Sequence, residues 1–73
     1  MIRELGSRGN LRLAQDDQRR FPGLLVPGDA LATLVESLEE EAPDSHALAT
    51  AKDWLSAYEE MMTVRGLPLP YRR

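Results

Sequence analysis

Apolar residues recur at intervals of three and four along the second half of the chain, which is the spacing of one face of an α-helix. The longest such run lies within residues 45–65, and its apolar face is Leu48, Ala51, Leu55, Tyr58 and Met62, widened on one flank by Trp54, Met61 and Val64. Asp44 or Ser45 can cap the first turn, because a short side-chain oxygen accepts a hydrogen bond from a free backbone N–H. Gly66 follows the run, where glycine commonly ends a helix. The pattern therefore predicts a helix over 45–65.

A shorter run with the same spacing predicts a helix over residues 29–41, with Asp29 as its N-cap. Its apolar stripe is Leu31, Leu34, Val35 and Leu38. Because only residues 42–44 connect the two helices, we expect an antiparallel or steeply crossed pair. The longer helix then extends about two turns beyond the shorter one. The strands, the C-terminal tail or a second copy of the chain would have to cover this overhang.

The N-terminal half predicts strands instead. Residues 1–9 show no periodic pattern and are expected to form a flexible lead, whereas residues 10–14 alternate between apolar and polar side chains. Residues 19–26 form a second strand candidate, interrupted by Pro22 and Gly23 and therefore expected at an edge or a bulge. The prediction is a helix-dominated α+β fold: a β-hairpin over 10–26 and the two helices in one small domain, 10–73, with an extended tail over 66–73. An all-α fold with an irregular N-terminus is the alternative.

The composition narrows the class of protein. With 73 residues and no cysteine, the chain has neither a large core nor a disulfide framework to stabilise it. No apolar run reaches the roughly 18 residues of a membrane span, and the N-terminus lacks the apolar core of a signal peptide. Arginine supplies eight of the nine basic residues, which favours a bacterial source. We expect a cytoplasmic bacterial protein that does not bind a membrane.

Charge is unevenly distributed along the chain. The net charge is −3, but residues 1–20 carry +2, residues 29–60 carry −8 and residues 65–73 carry +3. The ends and the middle of the chain can neutralise each other within the fold, or the acidic helices can present a surface to a basic partner.

No constellation of residues predicts catalysis, a cofactor site or a metal site. His46 is the only histidine, and its neighbours form no nucleophile–base arrangement. Glu39, Glu40 and Glu41 are consecutive, so their side chains diverge by about 100° per residue on a helix and do not converge on one ion. The second helix is too acidic to enter a DNA groove, so nucleic acid is an improbable partner, although the basic ends could touch it weakly.

Two segments resemble the sequences of a group of small bacterial proteins of unknown function. One is Phe21 to Asp29, FPGLLVPGD, preceded by Arg19 and Arg20, and the other is the ending LPLPYRR. The resemblance implies a small stand-alone bacterial protein and carries no active site with it.

The sequence thus favours a non-enzymatic protein–protein interaction module. The alternative is an immunity- or antitoxin-like inhibitor whose acidic face masks a basic site on its target. The residues expected to bind the partner are Glu36, Glu39, Glu40, Glu41, Trp54, Tyr58, Met61 and Met62. The overhang also predicts a homodimer formed along the C-terminal half of the longer helix.

Overall fold

A three-stranded antiparallel sheet precedes two helices in the computed structural model, which describes residues 1–72. The strands are β1 (Ile2–Arg8), β2 (Leu11–Asp16) and β3 (Gly23–Leu25), and the helices are α1 (Gly28–Glu41) and α2 (His46–Val64). The predicted α+β class is confirmed. Within residues 1–72, neither helix combines the length and the apolar character needed to cross a membrane.

The expected flexible lead at residues 1–9 is wrong, because residues 2–8 form β1. This strand pairs with β2 from Ile2 opposite Asp16 to Arg8 opposite Leu11, with a bulge between Glu4 and Gly6. The connecting turn contains only Gly9, at φ +60°, and Asn10. A glycine with positive φ in the first central position suits the tight turn that joins two twisted strands. All seven residues of β1 are exposed, so the strand shows no apolar alternation in the sequence.

The hairpin predicted over residues 10–26 is present as the pairing of β2 with β3. Arg12 lies opposite Leu25, Leu13 opposite Leu24 and Ala14 opposite Gly23. β3 has only three residues, consistent with the interruption expected from Pro22 and Gly23. β2 is therefore the central strand of the order β1-β2-β3.

Both helix ends of α2 follow from local chemistry. The Ser45 hydroxyl accepts a hydrogen bond from the Leu48 backbone N–H at 3.1 Å, which caps the first turn. At the other end Gly66 has a φ of +68°, its N–H donates to the Thr63 carbonyl, and the Leu67 N–H donates to the Met62 carbonyl. This pair of bonds is the Schellman arrangement, and it turns the tail back from the helix.

The start of α1 differs from the prediction. Pro27 occupies the N-cap position and no side chain caps the helix, whereas Asp29 lies in the first turn with its Oδ1 accepting from the Ala30 N–H. Proline is preset for the extended N-cap geometry, and the Asp29 carboxylate still stabilises the helix N-terminus through the dipole.

The core lies entirely between the two helices. Its buried side chains are Ala32, Val35, Leu48, Ala51 and Leu55, and Leu31, Leu38, Tyr58 and Tyr71 pack against them half-buried. Leu55 is 1% exposed, as its central place in the predicted face requires. Leu34, expected in the same stripe as Leu31 and Leu38, is instead 48% exposed.

The sheet takes no part in this core. Within residues 1–72, no strand residue has its Cα within 8 Å of a helix residue's Cα. The chain therefore consists of a strand lobe, residues 1–26, and a helical pair, residues 28–64. The radius of gyration is 13.8 Å, against about 11 Å for a compact domain of this length. The accessible surface is 6109 Å², against about 4,500 Å² for a compact monomer of this mass. More of the chain's surface therefore stays exposed than in a compact monomer of this mass.

Candidate interaction surface

One side of the helical pair is covered by the C-terminal tail. Tyr71 stacks on Tyr58 with their ring centroids 6.5 Å apart, and its hydroxyl donates to Glu59 Oε2 at 2.9 Å. Arg72 lies beside Ala32 and Glu36 in a cleft of about 220 Å³. The tail thus covers part of the α2 overhang, which was one of the three expected solutions.

The opposite side of the helical pair is uncovered and apolar. Its exposed residues, here called the Trp54 stripe, are Leu34, Trp54, Met61 and Val64, and Trp54 is 62% exposed. Trp54, Met61 and Val64 lie on α2, about 100° or more around the helix from Leu55, the centre of the buried face. Leu34 extends the same surface onto α1, next to the half-buried Leu31 and Leu38. Two carboxylates, Asp53 and Glu60, lie on the solvent side of α2, each about 100° around the helix from the neighbouring stripe residue, Trp54 or Met61.

The Glu residues of α1 are all exposed, but they do not form one surface. Glu36 and Glu40 lie towards the tail side, and Glu41 lies towards the Trp54 stripe, because successive residues turn by about 100°. Glu39 Oε2 lies 3.5 Å from Lys52 Nζ, and both side chains are about half exposed. The last turn of α1 contains no basic residue that would offset the helix dipole.

This arrangement predicts that the acids at the end of α1 contribute nothing to folding. Replacing Glu39, Glu40 and Glu41 together by Gln is expected to leave the free energy of unfolding unchanged or to raise it by up to about 1 kcal/mol. The reason is that mutual repulsion and the unfavourable dipole outweigh one exposed ion pair. Urea denaturation followed by circular dichroism measures the difference.

Asp29→Asn is the matched control for this triple variant. Asparagine keeps the oxygen that accepts from the Ala30 N–H but removes a charge that the helix N-terminus favours, so stability should fall slightly. A triple Gln variant that is less stable than the parent would contradict the prediction and would mean that these carboxylates pair within the fold.

The expected partner-binding residues do not converge on a single site. Trp54 and Met61 share the uncovered stripe, whereas Tyr58 turns into the junction of helices and tail and Met62 is half-buried. Glu39, Glu40 and Glu41 lie in the last turn of α1, beside the inter-helix turn, and Met61 lies about 24 Å along α2 from that turn. The structure therefore separates the acidic cluster from the C-terminal part of the stripe.

Tyr58 is held in place by a close approach of α1. Gly28 is buried, and a Cβ atom at this position would collide with the Tyr58 ring. Tyr58 also borders a cleft with Asn10, Leu25 and Val26 of the strand lobe. One aromatic ring thus lies where the helices, the tail and the end of the strand lobe meet.

The sheet presents a second uncovered apolar surface, which the sequence did not single out as a site. Ile2, Ala14, Phe21 and Leu25, here called the sheet face, line one cleft of about 410 Å³. The register places Ala14 and Leu25 on one side of the sheet, since Leu25 pairs with Arg12, two residues before Ala14. Phe21 is 73% exposed, and the Arg20 guanidinium lies 5.6 Å from its ring centroid. The sequence feature that could have indicated this surface is the apolar run FPGLLV, which lies between two arginines and a proline.

Within the described residues 1–72, no three histidine, cysteine, aspartate or glutamate side chains are grouped so that they could hold a metal ion. His46 is exposed at the first position of α2. The chain matches no protein-family model, no curated protein and no solved structure.

Proposed function

We propose that the chain is a small, non-enzymatic bacterial module for protein–protein interaction that works in the cytoplasm and docks through the Trp54 stripe. The exposure of Trp54 supports this proposal most directly. Trp54 leaves 62% of its surface in water, so the protein lacks the stabilisation that burying this large apolar side chain would provide. Tryptophan is also the residue type most enriched among the side chains that dominate binding energy at interfaces.

The charges around the stripe define the partner's chemistry. The two helices that carry the stripe, residues 28–64, contain nine acidic residues against Lys52 alone. Such a surface attracts a basic protein over long range and raises its association rate, and an acidic partner would be repelled. The docking partner is therefore a basic protein surface with an apolar centre.

An immunity- or antitoxin-like inhibitor is the second candidate, and the crowding of carboxylates at the end of α1 favours it. Glu39, Glu40 and Glu41 occupy the turn in which negative charge is least favourable. Charge kept at a cost to stability is typical of a surface selected to bind. Binding that weakens steeply with salt would favour the inhibitor, and weak dependence on salt would favour apolar docking.

Affinity capture tests the proposal with matched variants. The full-length chain is immobilised and exposed to a lysate of its source cells, beside Trp54→Glu and the control Ala49→Glu. Ala49 is exposed on the opposite side of α2, so both variants add one charge to the same helix. A partner held by the parent and by Ala49→Glu but lost with Trp54→Glu supports docking through the stripe. Equal retention by all three contradicts it.

A further inference from the structure

Two uncovered apolar surfaces occur in one chain: the sheet face and the Trp54 stripe. A small sheet gains stability from a packed apolar face, but here Ile2, Phe21 and Leu25 are each more than 60% exposed, and within residues 1–72 no helix Cα lies within 8 Å of a strand Cα. We propose that the sheet face of one copy packs on the Trp54 stripe of a second copy, and the reverse, in a two-fold dimer. The proposal rests on the proposed function, because it names the partner of the same stripe.

The exposed area matches what such a dimer requires. The chain exposes 6109 Å², which is about 1,600 Å² more than a compact monomer of its mass. A specific interface of standard size removes about 800 Å² from each partner, and obligate dimers remove more. Two sheet–helix contacts per dimer therefore fit within the excess surface.

The net charges of the two lobes favour packing the sheet face on the Trp54 stripe over packing stripe on stripe or sheet on sheet. The side chains of residues 1–26 carry five arginines against three acids, whereas residues 28–64 carry nine acids against one lysine. Packing stripe on stripe would bring two acidic helical pairs together, and packing sheet on sheet would bring together two strand lobes that each carry a net positive charge. Only the reciprocal pairing sets a lobe of net positive charge against a lobe of net negative charge in both contacts. This also replaces the helix-on-helix dimer that the overhang alone suggests.

The ion pairs within the chain do not use the opposite net charges of the strand lobe and the helical pair against each other. In the part of the chain that the structure describes, Met1 pairs with Asp17 and Arg12 pairs with Glu4, both within the strand lobe. Lys52 pairs with Glu39 within the helical pair. Across residues 1–72, no ion pair joins the strand lobe to either helix.

The connection between the two lobes favours a second copy over closure within one chain. Only Val26 and Pro27 separate β3 from α1, and Pro27 is extended with φ −60° and ψ 146°. Two residues span about 7 Å, and the proline ring fixes φ. The sheet is thus held at the first turn of α1, and it cannot lie along Leu34 and Trp54 without rebuilding this junction. A two-fold axis supplies the missing cover and leaves Glu36 and Glu40 on the outside.

Light scattering behind a sizing column tests the stoichiometry. At tens of micromolar the chain is expected at twice its 8.2 kDa. Phe21→Glu and Trp54→Glu should each weaken self-association by about 30-fold or more, since each places a charge at the centre of both contacts. Both side chains are mostly exposed in the single chain, so circular dichroism should show an unchanged helix content.

Mixing the two variants tests the reciprocal geometry. In a mixed dimer, the intact stripe of Phe21→Glu meets the intact sheet face of Trp54→Glu, so one of the two contacts is restored. The other contact carries both glutamates, but a single glutamate already breaks that contact in each variant alone. The mixture should therefore dimerise at concentrations at which each variant alone is a monomer. Gln18→Glu and Ala49→Glu, which add a charge to each lobe outside both surfaces, should dimerise like the parent.

Three results would overturn the inference. The first is a parent chain that stays at 8.2 kDa or assembles beyond a dimer. The second is a dimer that survives Phe21→Glu but not Trp54→Glu, which would indicate stripe-on-stripe packing. The third is a mixture that stays monomeric. A monomeric parent that still captures a different protein through Trp54 would refute the dimer and leave the proposed function standing, whereas loss of both would refute both.

Discussion

Replacing Leu55 by alanine is expected to lower the free energy of unfolding by about 2–5 kcal/mol, which is most of the stability of a domain this small. Leu55 is 1% exposed and lies at the centre of a core that contains only five buried apolar side chains within residues 1–72. Because the sheet contributes nothing to that core, no neighbouring layer can collapse into the cavity. Urea denaturation followed by far-ultraviolet circular dichroism measures the change.

Leu34→Ala is the matched control, because it removes the same atoms from a leucine of the partner helix. Leu34 is 48% exposed, so its truncation should cost about 1 kcal/mol or less in the monomer. A Leu55→Ala variant that unfolds at the same urea concentration as the parent would show that the helices do not pack through this face. Equal losses at the two positions would show that Leu34 is as buried as Leu55.

Replacing Gly28 by alanine is expected to cost about 1–3 kcal/mol, although alanine is the better helix former by about 0.5–1 kcal/mol. The added Cβ would collide with the Tyr58 ring, which must then leave its stack on Tyr71. The steric loss exceeds the gain in propensity because the ring is held by the helices and the tail together. Thermal unfolding of the single and double variants measures the coupling.

Two controls isolate this contact. Gly23→Ala should be almost neutral, since no atom lies within 4 Å of a Cβ placed there. In a Tyr58→Ala background the Gly28→Ala change should become neutral or stabilising, because the obstacle is gone. A loss of stability at Gly28 that persists without the Tyr58 ring would place the constraint in the backbone instead.

These features describe a chain whose stability and recognition use different parts of the molecule. The helical core depends on Leu55 and its neighbours, and Tyr58 joins this core to the tail through Tyr71. The exposed acids of α1 and the Trp54 stripe lie outside that core. Substitutions at Trp54 or at the glutamates can therefore alter binding without unfolding the chain, which is what makes the proposed interactions testable one surface at a time.

The helical pair could be predicted from the sequence because its determinants are local. The spacing of Leu48, Leu55 and Met62 selects one face of α2, while the Ser45 hydroxyl and Gly66 fix its two ends. Because the connection at residues 42–44 is short, the two helices must be neighbours. The only local signal for β1 was the Gly9-Asn10 turn. The strand itself gave no pattern, because a strand that is buried on neither face does not need alternating apolar and polar residues.

The burial of individual side chains was decided only by the tertiary structure. Periodicity places Leu34 beside Leu31, and Tyr58 beside Trp54 and Met61, but it does not say which of them a neighbouring segment covers. The tail packs Tyr71 against Tyr58, while Trp54 stays in water and the sheet stays outside the helical core. Helix formation depends on contacts within a few residues, whereas strand pairing and burial depend on contacts between segments more distant in sequence. For that physical reason the sequence by itself determined the two helices and the ends of α2, and the packed structure alone decided which apolar surfaces were left for binding.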